Sequence, residues 1–579
     1  MPEERTIPIP AGHREFTVKV DGQEVERTNQ LLSATVTKMA DKISAARLVY
    51  LDGDASSGSF PLSNADTFLP GKEIEILGGD LNNPVSLFKG IVVKISSKIR
   101  DRSAPQLIIE CRHKAVRLSV GRKNAYFTDQ KDSDVIQTIL SGVSIQADVE
   151  PTSVQHKQLV QFNSTDWDFI LSRAQANGKL VYSNDDSIVV KAPAFDGSPV
   201  FTLQFGSTIL EMDGEIESRR QFSAVKSFAW DASNQQSNEQ DASDPGVNLA
   251  GNLSSSDLSS VIGLDHYRLQ EGMLPEAESK AWADAYWLRS KMGMISGRLK
   301  CEGIGTINPG DILTLQGVGD RYNGNILVNG VRQSFDLTEG WKTHIQFGIT
   351  EEWFGQEVDI SAPQAGALLP AVHGLQIGVV LSNEDPDGEH RVKVKMPLVD
   401  PSGDGAWARV ASLDAGDQRG FFFRPEIGDE VILGFLEDDP RHAVILGMLH
   451  SSAKAAPLNG SDSNNEKVYK SRSGMKLFFD DEKKMIKLET PVGKKITMDE
   501  DENVIRMEDE SGNKIEMNSD GIKITSTMAL ELKAGTDLKL EGLNMNLKMD
   551  ASMSAEASAS MEIKSSGSTT IKGSIVQIN

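Results

Sequence analysis

The chain has 579 residues, 39% hydrophobic, 25% charged and 6% aromatic, with a net charge of −23. That length calls for several domains, and the acidic balance argues against nucleic acid or an anionic membrane surface as a partner. Two cysteines, Cys111 and Cys301, exclude a disulfide framework. The opening MPEERTIPIPAGHREFTVKV holds no signal-peptide core, and no apolar run reaches the ~18 residues of a membrane span.

In chain order, residues 1 to about 120 read as short strands. HREFTVKVDGQEV alternates and turns at Asp21-Gly22, a hairpin signal. KEIEIL, FKGIVVKISSKI and PQLIIECRHKAV continue the pattern. KDSDVIQTILSGV has helical spacing at Val135, Ile136, Ile139 and Leu140, with Ser133 as the expected N-cap. STDWDFILSRAQANGKLVYS predicts a helix capped by Thr165 that buries Trp167, Phe169, Ile170 and Ala174, then a strand after Gly178. Residues 231–262 are polar and small and predict a loop or mobile insertion. PEAESKAWADAYWLRSKMGM predicts a helix with Pro275 near its start, and strands resume through GDILTLQGVG, NGNILVNGVRQSF and KTHIQFGI. A linker at 361–374 leads to an all-strand module at 375–452. A second polar linker at 453–467 leads to an alternating tail at 468–579. The expected class is mainly β, with an α+β body over 1–360, a small barrel and a fibrous tail.

The tail is the most informative stretch. Ile496 and Met498 share one parity; Ile505, Met507, Ile515 and Met517 share the other. Ile522, Ile524, Met528, Leu530, Leu532, Leu538 and Leu540 follow, and the phase flips at Gly542 to Leu543, Met545, Leu547, Met549, Met553, Met561 and Ile563. Period two, broken by Gly, Asn and Asp, predicts short strands with one apolar face. A lone strip cannot bury that face. A single-chain solenoid needs rungs of fixed period, and a disordered tail has no reason to keep a two-residue period. Three strips wound about one axis give each apolar face two partners, and Met adapts to a narrow core. The expected trimer core is Ile522, Ile524, Leu530, Leu532, Leu538, Leu540, Leu543, Met545, Leu547 and Ile563. The last strand, TTIKGSIVQIN, alternates to its end. Ile575, Val576, Gln577, Ile578 and Asn579 are therefore expected to form a blunt docking platform for a capping chain.

The module before the tail supplies the most specific motif. It runs Trp407-Ala408-Arg409-Val410, then Arg424-Pro425-Glu426-Ile427-Gly428-Asp429-Glu430-Val431, then Asp439-Pro440-Arg441, then Ile445-Leu446-Gly447. This resembles the OB-fold barrel of VgrG-type spike proteins of contractile injection systems. GMKLFFDDEKKMIKLETPVGKKITMDED and SGNKIEMNSDGIKI resemble that family's spike. Two body stretches resemble its tube-adaptor region, and the one that begins at Pro275 is similar to the phage late-control protein D family. Within the family, the opening favours an extracellular particle of the antifeeding-prophage type over the type VI secretion form.

The resemblance implies tube-adaptor β-barrel domains, an OB-fold barrel and a C-terminal intertwined triple-stranded β-helix. It implies a non-enzymatic homotrimeric hub and membrane-puncturing spike that adapts threefold spike to sixfold tube. Its partners would be the inner-tube protein ring, baseplate proteins and a PAAR-like tip protein. Effector cargo is admitted, the target membrane is met only in passing, and nucleic acid is not a partner. Synthesis in the bacterial cytoplasm without a signal peptide, and release outside the cell within a particle, also follow from the resemblance. The alternatives are a spike with embedded cell-wall-degrading or effector activity and a trimeric adhesion fibre.

Few residues suggest chemistry, and no catalytic residue, metal or cofactor is expected. All nine His lie at or before His450, without His-x-His or His-Glu-x-x-His spacing. Asp385, Asp387 and Gly388 follow a partial EF-hand order, but Val394 stands where a bidentate Glu is needed, so a hairpin loop is predicted. Cys111 and His113 share a strand face and predict a buried structural pair. Phe421 and Phe423 are expected to pack within the barrel or against the body.

Overall fold

The computed structural model describes residues 14–80, 83–231, 236–270, 274–349, 353–354, 365–366 and 369–578. The chain forms two units, 1–450 and 451–579. Parts of the 361–374 linker, and Asn579, lie outside the described residues.

The first unit is organised by one 13-stranded sheet. Its first half contains Arg14–Val20, Leu31–Met39, Ala45–Leu51, Glu73–Asp80, Asn83–Arg100 and Ser103–Arg112. Each strand alternates and sends one side-chain set inward, as a half-buried strand must. Val36, Leu48, Ile76, Phe88 and Ile109 therefore meet in one core. The second half contains Ile209–Ile216, Ile295–Glu302, Gly324–Asp336 and Gly340–Phe347, over a separate core that includes Leu299, Leu313, Ile345 and Phe347. Gly324–Asp336 pairs antiparallel with Leu31–Met39, from Gly330 opposite Met39 to Asp336 opposite Ser33. The two strand-rich sections of the sequence thus lie side by side in one sheet. The hairpin read at Asp21-Gly22 is present, with positive φ at both turn residues (47° and 82°).

Between the halves sit the helices. Asp166–Ala176 is capped as expected, with the Thr165 hydroxyl accepting from the Asp168 N–H at 3.1 Å, and Trp167, Phe169, Ile170 and Ala174 are buried. Glu276–Met292 starts directly after Pro275. Asp132–Ser141 differs from its reading: Lys131 is the N-cap, and Ser133 lies inside the first turn, where its Oγ accepts from the Thr152 N–H. The polar stretch after residue 231 is also more ordered than its composition suggests. Gln236–Asp241 is a strand. Ser255–Ile262 is a helix held by a reciprocal Ser254/Asp257 capping box and ended by Gly263 in the left-handed region.

A five-stranded closed barrel follows, made of Gln376–Ser382, Val392–Lys395, Ala406–Val410, Glu430–Phe435 and Ala443–Met448. Its interior is filled by small branched side chains such as Val380, Val394, Val431 and Ile445, and Val160 from the body strand Gln155–Ser164 joins that core.

The second unit opens with seven five-residue strands in a sequential antiparallel meander, Glu466–Lys470 to Gly521–Thr525. The turns explain the pairing. Asp480, Asp499, Asp509 and Asn518 accept backbone N–H groups two to four residues ahead, and Lys484, Gly493, Asn503, Gly512 and Gly521 take positive φ. Residues 526–578 carry no strand pairing within the chain.

Candidate functional site

The meander has two unlike faces. In an antiparallel ladder, directly opposed residues share a face. One row runs Phe479, Ile486, Met498, Ile505, Met517, Ile522; a second runs Leu477, Leu488, Ile496, Met507, Ile515, Ile524. These rows alternate with polar ones, so one face carries two parallel apolar stripes. Most of these side chains are exposed, from 36% for Ile496 to 72% for Ile522. The stripes border a groove of about 740 Å³ lined by Leu488, Ile496, Met507, Ile515, Ile524 and Leu530 among others.

The opposite face is a ladder of alternating charge: Lys495–Glu508 at 3.4 Å, Arg506–Glu516 at 3.1 Å and Lys476–Glu489 at 3.4 Å. This face suits water, and its charges oppose strand addition.

The expected core residues of the following segment are also on the surface of the single chain. Leu530, Leu532, Leu538, Leu540, Leu543, Met545, Leu547 and Ile563 are all exposed. So are Ile575, Val576 and Ile578, with Gln577 between them; Asn579 lies outside the described residues.

The barrel motif residues build the barrel. Trp407 carries Arg391 at 5.6 Å and Lys393 at 5.9 Å from its ring centre. Arg409 lies opposite Val444 in the parallel ladder. Arg424 donates to the Arg391 carbonyl, the Pro425 carbonyl accepts from Asn383, and the Glu426 N–H donates to Asp429. Gly428 has φ +83° and donates to the Val380 carbonyl, while Glu430 and Gly447 lie in paired strands.

Asp439 and the buried Pro440 lead to a feature that the sequence reading missed. Asp439, Arg441, Glu278, Arg173, His156 and Asp132 form one buried ionic joint, contributed by the barrel, three helices and a strand. Arg441 reaches Glu278 at 2.7 Å and Asp439 at 2.8 Å. Arg173 reaches Asp132 at 2.6 Å and Glu278 at 3.3 Å. His156 lies 2.9 Å from Asp132 and 3.5 Å from Glu278 through its two ring nitrogens.

Three carboxylates face two guanidinium groups, so neutrality requires a protonated His156. Burial pulls the His156 pKa down, but hydrogen bonds to Asp132 and Glu278 outweigh it and raise the net value. Burial likewise opposes ionisation of Glu278 and Asp439, yet Arg441 holds both below the usual carboxylate range. Asp-Pro-Arg was the only signal in the sequence; the other members are separated by tens to hundreds of residues.

Asp385 is engaged by Arg391 at 2.8 Å, so the 383–390 loop is an ion-paired turn. Cys111 and His113 are both buried; burial pushes the Cys111 thiol up to about 12, and His113 accepts from the Ala115 N–H. Phe421 and Phe423 do not pack inward as expected: they stack on each other on the barrel surface and remain half exposed. Among the described residues, no group of three or more His, Cys, Asp and Glu side chains is placed to hold a metal ion.

Residues 11–336 match the family model of the Alg8 N-terminal domain, and residues 376–450 match that of the type VI secretion system/phage-baseplate injector OB domain. The type VI secretion system spike protein VgrG1a of Pseudomonas aeruginosa is 34% identical over 137 residues, 21% of this chain and 21% of that protein. The actin cross-linking toxin VgrG1 of Vibrio cholerae is 31% identical over 127 residues, 20% of this chain and 12% of that protein. The chain therefore spans about a fifth or less of the length of these curated relatives. A chain of the Francisella PdpA–VgrG complex, in its lidded form, shares the fold with a TM-score of 0.52 at 9% identity, over 88% of this chain and 80% of that one.

Proposed function

Since the chain belongs to the Alg8 N-terminal domain family and is a VgrG spike homologue with an injector OB domain, we propose that three copies form the central hub and puncturing spike of a contractile injection system. The two-striped apolar face of the meander carries this reading. Its exposed apolar area is on the order of 1,000 Å², beyond the ~300–600 Å² that a monomer ordinarily leaves open. Covering it contributes a gross ~25 kcal/mol per chain at ~25 cal/mol per Å², before the ordering and association terms that oppose assembly. Three strips close into a prism with charge ladders outward and Leu, Ile and Met inward, leaving no open edge. Residues 526–578 then find between chains the backbone partners they lack within one.

The spike acts mechanically. Sheath contraction supplies the work, and a continuously hydrogen-bonded fibre resists buckling because no short segment can unfold alone. The body, with its two strand-rich halves per chain, presents six sheet sections to a sixfold inner-tube ring and contacts baseplate proteins. Residues 575–579 of three chains seat a PAAR-like tip protein. The chain is made in the bacterial cytoplasm and leaves the cell in the particle. Light scattering tests the stoichiometry: the reading expects about 189 kDa, three times the chain mass of 63.0 kDa. A stable 63.0 kDa species with a folded second unit would overturn it.

A further inference from the structure

The 13-stranded sheet of the body carries two open strand edges. One belongs to Ile209–Ile216, which pairs with Ile295–Glu302 on one side and with no strand among the described residues on the other. The second lies on Asn83–Arg100. That strand pairs with Glu73–Asp80 only up to Ile91, and with Ser103–Arg112 from Ile91 onward, so Val93–Arg100 has a ladder on one side alone.

The two edges match in length, direction and chemistry. Ile209–Ile216 is 8 residues long, the same span as Val93–Arg100. Seven ladders separate the two strands and all are antiparallel, so the edge strands run in opposite directions. Directly opposed residues share a face. Followed through these ladders, Glu211 lies with Lys300, Arg332 and Thr37, and Lys94 lies with Glu110, Arg47 and Thr35. Thr35 and Thr37 are two apart on one strand, so both rows project from one face. On that face the first edge carries Glu211, Asp213 and Glu215, and the second carries Lys94 and Lys98, with Arg100 at the hairpin's end. Lys300 holds Glu211 at 3.1 Å and Glu110 holds Lys94 at 3.1 Å. Lys98, Arg100, Asp213 and Glu215 enter no ion pair among the described residues. On the other face, Ile95 stands opposite the fully buried Ile109 yet is itself 36% exposed, because nothing covers it on the side of the open edge. Met212 and Ile216 line the matching face of the first edge.

We propose that Val93–Arg100 of one copy adds as an antiparallel neighbour to Ile209–Ile216 of the next, closing the body sheets of three copies into one ring. This rests on the trimer reading above and assigns the strands that join the bodies. Rotation about an axis along the strands preserves their direction, so the next copy presents its acidic edge antiparallel to the basic one. Each open edge then gains the backbone partners it lacks, and no free edge is left to pair elsewhere. Such a head-to-tail contact closes when the rotation permits. Aligned end to end, Lys94 faces Glu215 and Lys98 faces Glu211, which are favourable cross-strand pairs. Ser97 falls opposite Met212 and Ser96 opposite Asp213.

Cysteine cross-linking of the full chain tests the contact, and the background is low because Cys111 and Cys301 are each 1% exposed. Ser97→Cys/Met212→Cys, under mild oxidation and separately with a bis-maleimide, should give covalent species that end at three chains on a denaturing gel. Ser96→Cys/Asp213→Cys, on the opposite face, serves if the Met212 change disturbs folding. Each single variant should run as one chain. Adding Lys98→Glu/Arg100→Glu to the first pair should slow cross-linking severalfold, and adding Asp213→Lys/Glu215→Lys as well should restore it. Cross-linking that ignores the first reversal, or is not restored by the second, would overturn the charge match. Cross-linking by Ser97→Cys alone would show hairpin-to-hairpin contact instead, and a ladder past three chains would overturn the closed ring. A trimer by light scattering that yields no cross-link from either cysteine pair would overturn the contact while leaving the trimer intact. A monomer by light scattering would instead remove the trimer reading itself.

Discussion

Replacing Arg441 by Met removes the cation that ties the barrel to the body. In the native joint, Arg441 bridges Glu278 and Asp439, and all three side chains are 6% exposed or less. Removing one partner of such a buried pair leaves a carboxylate without compensation, which costs about 3–5 kcal/mol. Arg419→Met is the control, because its pair with Asp414 is open to water, with side chains 67% and 48% exposed. Exposed pairs are worth ~0–1 kcal/mol.

The pH dependence carries a sign. In the native joint the carboxylates of Glu278 and Asp439 have depressed pKa values, so they stabilise the fold above their unfolded pKa and lose that contribution as pH falls through the folded values. Without Arg441, burial dominates, and the joint takes up a proton on folding. The defect of Arg441→Met should therefore shrink between about pH 7 and 5. Calorimetric unfolding of the full chain, compared with wild type and the Arg419→Met control at both values, checks this. A defect no larger than the control's, or one that grows as pH falls, would refute the reasoning.

Further outcomes follow from the same geometry. Leu530→Asp places three carboxylates at one level of the proposed spike and should abolish trimerisation, at several kcal/mol per buried charge. Lys523→Glu, on the polar face opposite Glu516, should change stability by less than about 1 kcal/mol; size-exclusion chromatography with light scattering separates the two. Deleting 575–579 should leave the trimer intact yet eliminate capture of a PAAR-like tip protein in a pull-down, and retained capture would move the platform elsewhere. His156, with a folded pKa raised above its unfolded value of about 6.5, contributes stability that is full below that pH and is lost as pH rises through the folded value. Wild type should therefore lose stability relative to His156→Gln on going from pH 6 upward, as read by thermal unfolding.

Local signals were legible where physics acts over a few residues. Thr165 reads as a cap and folds as one, and the two-residue period of 496–524 reads directly as one apolar face. Gly, Asn and Asp in the tail read only as breaks in the period, and alternation alone did not reveal that Glu466–Thr525 pairs with itself as an antiparallel meander before the pairing stops. Ser133 reads as the N-cap but lies two positions inside the helix, and both its N–H and its hydroxyl bond Thr152, nineteen residues away. The ionic joint was invisible for the same reason on a larger scale: Arg173 to Glu278 and Glu278 to Arg441 are contacts that only the fold creates. Phe421 and Phe423 read as core because aromatic side chains usually are, whereas Gly420 sets a tight arm that turns them outward.

The central claim is that residues 526–578, unpaired within one chain, are paired between chains. Hydrogen–deuterium exchange on the assembled protein measures this residue by residue. The account predicts strong protection of the amides through Leu530–Ile563, comparable to the meander strands and lost together on denaturation of the assembly. Exchange of these amides at the rate of open chain, in a protein that scatters as a trimer, would contradict it.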